Sequence, residues 1–597
     1  MKYRRLLVAA VAGVAAVALA AGCSSSKNGN GNSTTPAAAP GTSAAAAPAT
    51  SAPAPATSAP TSDLGPAIVN GGYTTKGGTV NVLDTADFEH MDPVQNYVTN
   101  SGDFGKLIFR TLTVIDDTPG QTPAIKPDLA SGLGEPNADA SVWTYHLQKG
   151  LKFEDGTEIT AADVKYAIER SFAVDVYPDG ASYMPDTLKN DNGYEGPYKT
   201  PDKDLTSVET PDPYTLVFHF QGPQPDCDWM MSEFYTVPVP KDKDTKQAYD
   251  KKPVSSGPYM IDSYTPNKSL TLVRNPNWDA STDPNRPALP DKFVFTIVSD
   301  AATISARLIA DQGADQTAVS IDAASDIQPA DVSKLSQPDV QSRFVNGAGP
   351  CVYYLSLNTQ TIKDENVREA IAQALNRTAI LQAFGGPLFG QVPDSFMATS
   401  TRGYEPMNLP LQPAGDIDTA KAKLGSTTVP TLNFGVSAGR PQQHAIAVEV
   451  QNDLKQIGIN INITNIPTSS FYTTLRSDNA PDMAVAGWCW DWPTMAAVVP
   501  PVLGPDSKVT TWGTNNFAKY FDPTLSKKIA DLAVSPDDPA TVDQGFNEVA
   551  QQIVNTVWPL VPINAALNPA VSGSKIRNFG ISTIWSLVDL NILGVAS

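Results

Sequence analysis

Apolar and polar residues alternate in three stretches of the chain, at 79–83, 143–147 and 215–220. A period of two is typical of a strand with one buried face, because successive side chains of a strand point to opposite faces of a sheet. Each stretch is therefore predicted to form a strand.

Elsewhere apolar residues recur at helical spacing. Thr160 and Asp163 suit the cap and the first turn of a helix. The apolar positions that would share its buried face are Val164, Ala167, Ile168 and Phe172. Two further helices are predicted over 365–375 and 442–457. Because helices and strands are interleaved, the pattern predicts α/β lobes.

The longest uncharged apolar run lies near the N-terminus, from Leu6 to Ala21, and ends in small residues before Cys23. Three basic residues precede the run: Lys2, Arg4 and Arg5. This organisation is typical of a secretory signal, and no comparable run follows, so we expect an exported chain that does not span the membrane. Residues 19–23 also resemble a bacterial lipobox. That resemblance implies a signal peptide over 1–22 and a lipid on Cys23, with a plain secretory signal as the alternative.

The stretch from Ser24 to Ser62 has no aromatic residue and a single charge, Lys27. It consists mainly of Ala, Ser, Thr and Pro, and cannot bury enough apolar surface to offset its chain entropy. We therefore predict that residues 23–70 hold the lipidated cysteine and a disordered tether. As a flexible coil, 39 residues would span about 35 Å.

Composition excludes several classes of protein. The 597 residues carry a net charge of −20, which argues against binding to nucleic acid or to anionic lipid. The four cysteines are too few for a disulfide-dense scaffold or a Cys-rich zinc module. No metal site and no cofactor is predicted.

Enzyme motifs are also poorly supported. Residues 435–439 fit the string G-x-S-x-G, but the only later histidine, His444, is too close in sequence to serve as the base for Ser437. The zinc-protease motif H-E-x-x-H, the P-loop and C-x-x-C do not occur. The chain is therefore predicted not to be an enzyme.

Several segments, in order along the chain, resemble the family 5 extracytoplasmic solute-binding proteins, the peptide/nickel-type receptors of bacterial ABC importers. The most extensive runs from Val142 to Gly156 and continues at 160–164 with Thr-Ala-Ala-Asp-Val. The others are 78–82 with Met91-Asp92-Pro93, 256–259, 353–358 with 367–370 and 374–377, and 487–493 with the sequence Gly-Trp-Cys-Trp-Asp-Trp-Pro.

This resemblance implies a two-lobe, type II periplasmic-binding-protein-like fold of the large peptide-binding cluster, with an extra domain inserted in the first lobe. The ligand would bind in the cleft between the lobes, which would close about hinge strands. The implied domains are lobe I over 71–115, 240–350 and 565–597, the inserted domain over 116–239, and lobe II over 351–564.

The resemblance also implies site residues. Asp491 matches the acid that pairs with a peptide's amino end in oligopeptide-binding relatives, and a carboxylate that caps a turn before Pro493 is the alternative. Trp488, Trp490 and Trp492 would either line the cleft or belong to the core. Tyr97 stands where such a relative has an acid. Val485 stands where it has an arginine, and Arg476 would either supply that charge or lie on a surface helix.

The cysteines carry a further implication of the resemblance. Cys351 and Cys489 match positions that form a disulfide in oligopeptide-binding relatives, which would leave Cys227 as the odd thiol. Three buried free thiols are the alternative. Export to an oxidising compartment makes the bond feasible.

We therefore expect a monomeric substrate-binding lipoprotein, anchored through Cys23 at the extracytoplasmic face of the cell membrane. It would capture short peptides and deliver them to an ABC permease and its ATPase subunits. Two alternatives stay open: the same fold could bind an oligosaccharide, a metal chelate or another small solute, or the chain could be a surface lipoprotein that senses ligand or chaperones folding.

Overall fold

The computed structural model describes residues 66–321, 327–506 and 508–597. The predicted signal peptide, Cys23 and most of the predicted tether lie outside these residues. Among the described residues, no helix is long and apolar enough to cross a membrane.

The strands of the described residues are short except for two long ones near the middle and the end of the chain. In chain order they are β1 (Ile68–Val69), β2 (Thr79–Asp84), β3 (Thr113–Asp116), β4 (Ala124–Pro127), β5 (Glu135–Pro136), β6 (Val142–His146), β7 (Val208–Asp212), β8 (Thr215–His219), β9 (Tyr259–Thr265), β10 (Ser269–Arg274), β11 (Lys292–Ile297), β12 (Ala318–Ser320), β13 (Phe344–Leu357), β14 (Gly390–Gln391), β15 (Leu432–Ser437), β16 (Ile461–Ile466), β17 (Met483–Cys489), β18 (Leu560–Val571), β19 (Ile576–Arg577), β20 (Phe579–Gly580) and β21 (Gly594–Val595).

The α-helices of the same residues fall mainly between the strands of the two largest sheets. They are α1 (Thr99–Ile108), α2 (Ala161–Ser171), α3 (Tyr183–Thr187), α4 (Cys227–Met230), α5 (Ala301–Ala310), α6 (Pro338–Gln341), α7 (Glu365–Ala374), α8 (Arg377–Phe384), α9 (Ile417–Leu424), α10 (Pro441–Lys455), α11 (Phe471–Arg476), α12 (Val499–Leu503), α13 (Pro523–Ala533) and α14 (Pro539–Val557). The three predicted helices are confirmed as α2, α7 and α10.

A five-stranded sheet in the order β12-β2-β11-β10-β9 forms the centre of the first lobe. The predicted strand at 79–83 is β2, which pairs in parallel with β11 and β12. Val80 and Val82 are fully buried in the core, whereas Asn81 points to the other face and binds Ala314 and Thr317. The alternation seen in the sequence is thus the alternation of buried and polar faces.

A separate four-stranded sheet in the order β5-β6-β8-β7 contains the other two predicted strands, which are β6 and β8. Its core includes residues of α2, such as Val164 and Ile168. The predicted cap of α2 is a full capping box, because the Asp163 carboxylate accepts hydrogen bonds from the Thr160 backbone N–H at 2.8 Å and hydroxyl at 2.7 Å. This sheet and its helix lie within the sequence predicted to form the inserted domain.

A six-stranded sheet in the order β14-β18-β13-β17-β15-β16 forms the second lobe. Its two long antiparallel strands, β13 and β18, also reach the first lobe. Val345 and Ala570 belong to the first lobe's core, while Leu355 and Val561 belong to the second lobe's core. The domain boundaries expected at 350/351 and 564/565 therefore fall inside these two strands, which connect the lobes.

Candidate ligand-binding cleft

Strand β17 ends at a disulfide that fixes the start of the loop after it. Cys351 and Cys489 lie opposite each other in the antiparallel pairing of β13 with β17, and their sulfur atoms are bonded at 2.03 Å. Cys227 is a buried free thiol, within 3.5 Å of the Tyr145 hydroxyl. Burial holds the pKa of the Cys227 thiol well above its usual value. The Cys351–Cys489 bridge holds Asp491, two residues beyond Cys489, next to β13, one of the two strands that connect the lobes.

Asp491 is the meeting point of three parts of the chain. Its Oδ1 accepts a hydrogen bond of 2.9 Å from the Tyr97 hydroxyl, and its Oδ2 accepts one from the hydroxyl of Tyr183, the first residue of α3. Burial raises the pKa of Asp491, while the two hydroxyls lower it in part. A carboxylate can accept about four hydrogen bonds, so the two from these hydroxyls leave lone pairs of Asp491 free.

The loop that carries Tyr97 is anchored by a buried ion pair. Asp92 accepts hydrogen bonds of 2.8 and 2.6 Å from the Arg170 guanidinium, and both side chains are fully buried. Arg170 belongs to α2, so the pair joins the loop after β2 to the four-stranded sheet's helix. A bidentate arginine–carboxylate pair is directional, and it fixes the loop that presents the Tyr97 hydroxyl.

A cavity of about 340 Å³ lies beside Asp491. Its wall includes Asn96 and Tyr97 from the first lobe, the Cys351–Cys489 bridge, and Trp585 from the C-terminal segment. Among the described residues that line it, none is Lys, Arg or His. The cavity is therefore acidic and aromatic, which suits a cationic ligand group.

Glu233 is a second carboxylate in the wall of this cavity, and the sequence analysis missed it. Burial, and then the charge of Asp491, raise the pKa of Glu233 to about 8. A signal was available in the sequence, because Glu233 is the only charged residue between Trp229 and Val239. A lone acid in such an uncharged run is costly to bury unless it has a partner.

The three tryptophans of the 487–493 segment have different surroundings. Trp488 donates to the Ala497 carbonyl at 2.7 Å and packs against the second lobe's core. Trp490 is 3% exposed and lines the cavity. Trp492 lies outside the cavity wall, where its ring is 5.1 Å from that of Tyr183 and its Nε1 donates to Asp226 at 3.0 Å.

Arg476 lies away from the cavity. It is exposed at the end of α11, donates to the Asn515 side chain at 2.8 Å and sits over the ring of Phe517. It is not among the residues that line the wall with Asp491. Of the two alternatives in the sequence analysis, this position corresponds to the surface helix charge.

The ring of Trp585 packs closely against helix α1. Its ring is stacked on Phe234 at 6.1 Å, and a Cβ added at Gly102 of α1 would come within 2.6 Å of it. We expect Gly102→Ala to displace Trp585, to lower the free energy of unfolding by about 1–3 kcal/mol through overpacking, and to weaken ligand binding. Thermal unfolding and titration calorimetry would measure the two effects.

Gly222→Ala is the matched control for this substitution, because a Cβ there would meet nothing within 4 Å. Unchanged stability and affinity in Gly102→Ala would contradict the role given to this close approach.

Three comparisons with known proteins bear on the fold and the cleft. The family model described as "Bacterial extracellular solute-binding proteins, family 5 Middle" matches residues 124–510. The periplasmic oligopeptide-binding protein OppA of Salmonella typhimurium is 25% identical over 504 residues, which cover 81% of this chain and 86% of that protein. The glutathione-binding protein GsiB of Shigella flexneri is 22% identical over 525 residues, covering 85% of this chain and 93% of that protein.

Among solved structures, the chain is similar to clavulanic acid biosynthesis oligopeptide binding protein 2, with a TM-score of 0.80 and 29% identity. The match covers 90% of this chain and 98% of that one. These likenesses confirm the fold class predicted from the sequence.

Proposed function

The chain belongs to the family 5 bacterial extracellular solute-binding proteins, and from this premise we propose that it captures short peptides by their free amino end and delivers them to the permease of an ABC importer. As a member of this family it is a transport protein that acts outside the cytoplasm. The absence of any catalytic activity is part of the proposal.

The observation that carries the proposal is the setting of Asp491. Its carboxylate lines a cavity of about 340 Å³ whose described wall has no basic side chain, and two tyrosine hydroxyls hold it in one orientation. It also lines a smaller adjoining cavity with Lys106 and Arg286, but both of these cations are ion-paired with other carboxylates. A peptide's amino end brings the positive charge that this partly desolvated acid lacks, and charge-assisted hydrogen bonds are the stronger kind. The names of two similar proteins, an oligopeptide-binding protein in each case, agree with this cargo.

Exposed backbone groups of the cleft would form hydrogen bonds with the rest of a bound peptide. Peptides bind by main-chain hydrogen bonds that do not depend on side-chain identity, and pockets then select side chains. Trp490 and Trp585 would provide apolar walls for those side chains. Delivery would need a permease and ATPase subunits as partners, because the sequence contains no P-loop of its own. We propose that the receptor acts as a monomer.

Titration calorimetry with unmodified peptides of increasing length tests the cargo. We expect saturable binding of short peptides with free amino ends and no heat from oligosaccharides or metal chelates. Saturable binding of a sugar or a chelate, with none of any peptide, would overturn the proposed cargo.

We also propose that Cys23 carries the lipid that holds the receptor at the membrane. The support is the small-residue sequence before it and the long Ala/Ser/Thr/Pro segment after it. Cys23→Ser is expected to move the protein from the membrane fraction to the soluble one, because one acyl-bearing thiol is lost. Immunoblots of fractionated cells would measure this, with Ser24→Ala as the control. A Cys23→Ser protein that stays in the membrane fraction would contradict the anchor.

A further inference from the structure

The cavity beside Asp491 contains hydrogen-bond acceptors that lack donors. Asn96 is 5% exposed and lines the cavity, and its Nδ2 donates to the Ser101 carbonyl at 2.8 Å while its Oδ1 has no partner. Glu233 is half-buried, and its carboxylate makes no hydrogen bond or ion pair with the described part of the chain. The wall also holds two buried donors without partners, the Nε1 atoms of Trp490 and Trp585. Buried acceptors are normally paired, so the Asn96 oxygen indicates that a donor is missing beside the Glu233 carboxylate.

The nearest basic side chains cannot supply the missing donors. Lys106 and Arg286 share a small adjoining cavity with Glu233 and Asp491. Lys106, however, donates to Asp117 at 2.7 Å, and Arg286 binds Asp128 at 2.8 Å. Arg286 also pairs with Asp283 at 3.1 Å. Each of these buried cations is thus already ion-paired, and removing it from its partners would leave unpaired buried charges.

Asp491 places a second negative charge near Glu233 in the same wall. Burial first, and then the charge of Asp491, raise the pKa of Glu233. Burial, followed by the charge of Asp491 and to a smaller extent that of Glu233, also raises the pKa values of Tyr97 and Tyr183. A cation near Glu233 would relieve this repulsion and favour the ionised acid.

We propose that Glu233 and Asn96 form a subsite for a guanidinium side chain at the first residue of the ligand, next to the amino end held by Asp491. A guanidinium is planar and offers five N–H donors in a fixed fork, which suits a carboxylate and a carbonyl oxygen together better than the three donors of an ammonium. This subsite rests on the proposed function, because it assumes that the amino end lies at Asp491.

Four peptides distinguish binding at the guanidinium subsite from binding at the amine site of Asp491. They are Arg-Ala-Ala, its citrulline analogue, which keeps the shape but loses the charge, and the N-acetylated form of each. Titration calorimetry on the full chain is expected to give Arg-Ala-Ala at least a roughly tenfold advantage over the citrulline peptide, as for a buried charge pair. In Glu233→Gln this advantage is expected to fall to about twofold or less, with the affinity of the citrulline peptide unchanged.

Glu135→Gln is the control, because Glu135 is an exposed residue of β5. It is expected to keep the full preference for arginine. The comparison of the two peptides on the unsubstituted chain needs no variant, so it stands even if Glu233→Gln folds poorly.

The outcomes distinguish this subsite from the proposed function. Equal affinity for the arginine and citrulline peptides, with a loss on acetylation, would overturn the subsite and leave the amine site. A loss on citrulline substitution without a loss on acetylation would overturn the amine site at Asp491, and with it the placing of the guanidinium on the first residue beside that site. If none of the four peptides binds, both are overturned.

Discussion

Replacing Asp491 by asparagine is expected to weaken peptides with a free amino end by about 2–5 kcal/mol, which is the cost of truncating one partner of a buried charge pair. The substitution keeps the size of the side chain, and its amide oxygen can still accept from one of the two hydroxyls, of Tyr97 or of Tyr183. Its NH2 group cannot accept, so the other hydroxyl has to turn and accept from it. The charge that would balance the ammonium is removed. Titration calorimetry with one short peptide would measure the difference.

The N-acetylated form of the same peptide is the control ligand, because it has no ammonium to lose. Its affinity is expected to change much less. Asp191→Asn, at an exposed position, is the matched protein control. Equal losses for the free and acetylated peptides would contradict the role given to Asp491 and return it to the alternative of a carboxylate that caps a turn.

Loss of the disulfide is expected to have a comparably large effect on stability. The bridge joins residues 138 apart. Cross-linking a loop of that length lowers the entropy of the unfolded chain, which stabilises the fold by about 4–5 kcal/mol on the chain-entropy model. The free energy of unfolding of Cys351→Ser, from urea titrations, is expected to fall by this amount.

Cys489→Ser and the double variant provide the internal control, since each breaks the same bond. All three variants are expected to lose nearly the same free energy, and reduction of the unsubstituted chain is expected to reproduce the loss. Losses that differ widely, or that add in the double variant, would show that packing of the individual side chains dominates over the cross-link.

Much of the fold was predictable because its signals are local. Strand β2 alternates buried valines with polar residues, and α2 begins at a capping box whose residues, Thr160 and Asp163, can be identified in the sequence. Such patterns depend on the nearest neighbours in the chain, so they survive without tertiary information. The boundaries of the lobes were harder to predict because β13 and β18 each continue through both lobes.

The candidate site was only partly predictable. The 487–493 segment supplied Asp491 and Trp490 to the cavity through resemblance to a family, but a resemblance does not say which tryptophan faces a ligand. Glu233 and Trp585 lie far apart in the sequence and meet only through the fold. The pairing of Asp491 with Tyr183 joins residues 308 apart, which no local pattern encodes.

The contacts of the second lobe with the rest of the chain bear on capture. Tyr97 and Tyr183 reach Asp491, while Trp492 and Thr494 reach Asp226, with distances of 3.0 and 2.5 Å for the last two. A ligand can favour one arrangement of the lobes only by binding it better than the other. The ammonium of a peptide would favour the arrangement in which these contacts form, because its positive charge would pair there with the Asp491 carboxylate that they enclose.

The most direct test of the account is to identify what the receptor carries. The full chain would be purified without denaturant, then unfolded, and the small molecules released would be identified by mass spectrometry. We expect a mixture of short peptides with free amino ends. A sugar, a metal chelate or a single non-peptide metabolite would contradict the peptide cargo and the amine site at Asp491.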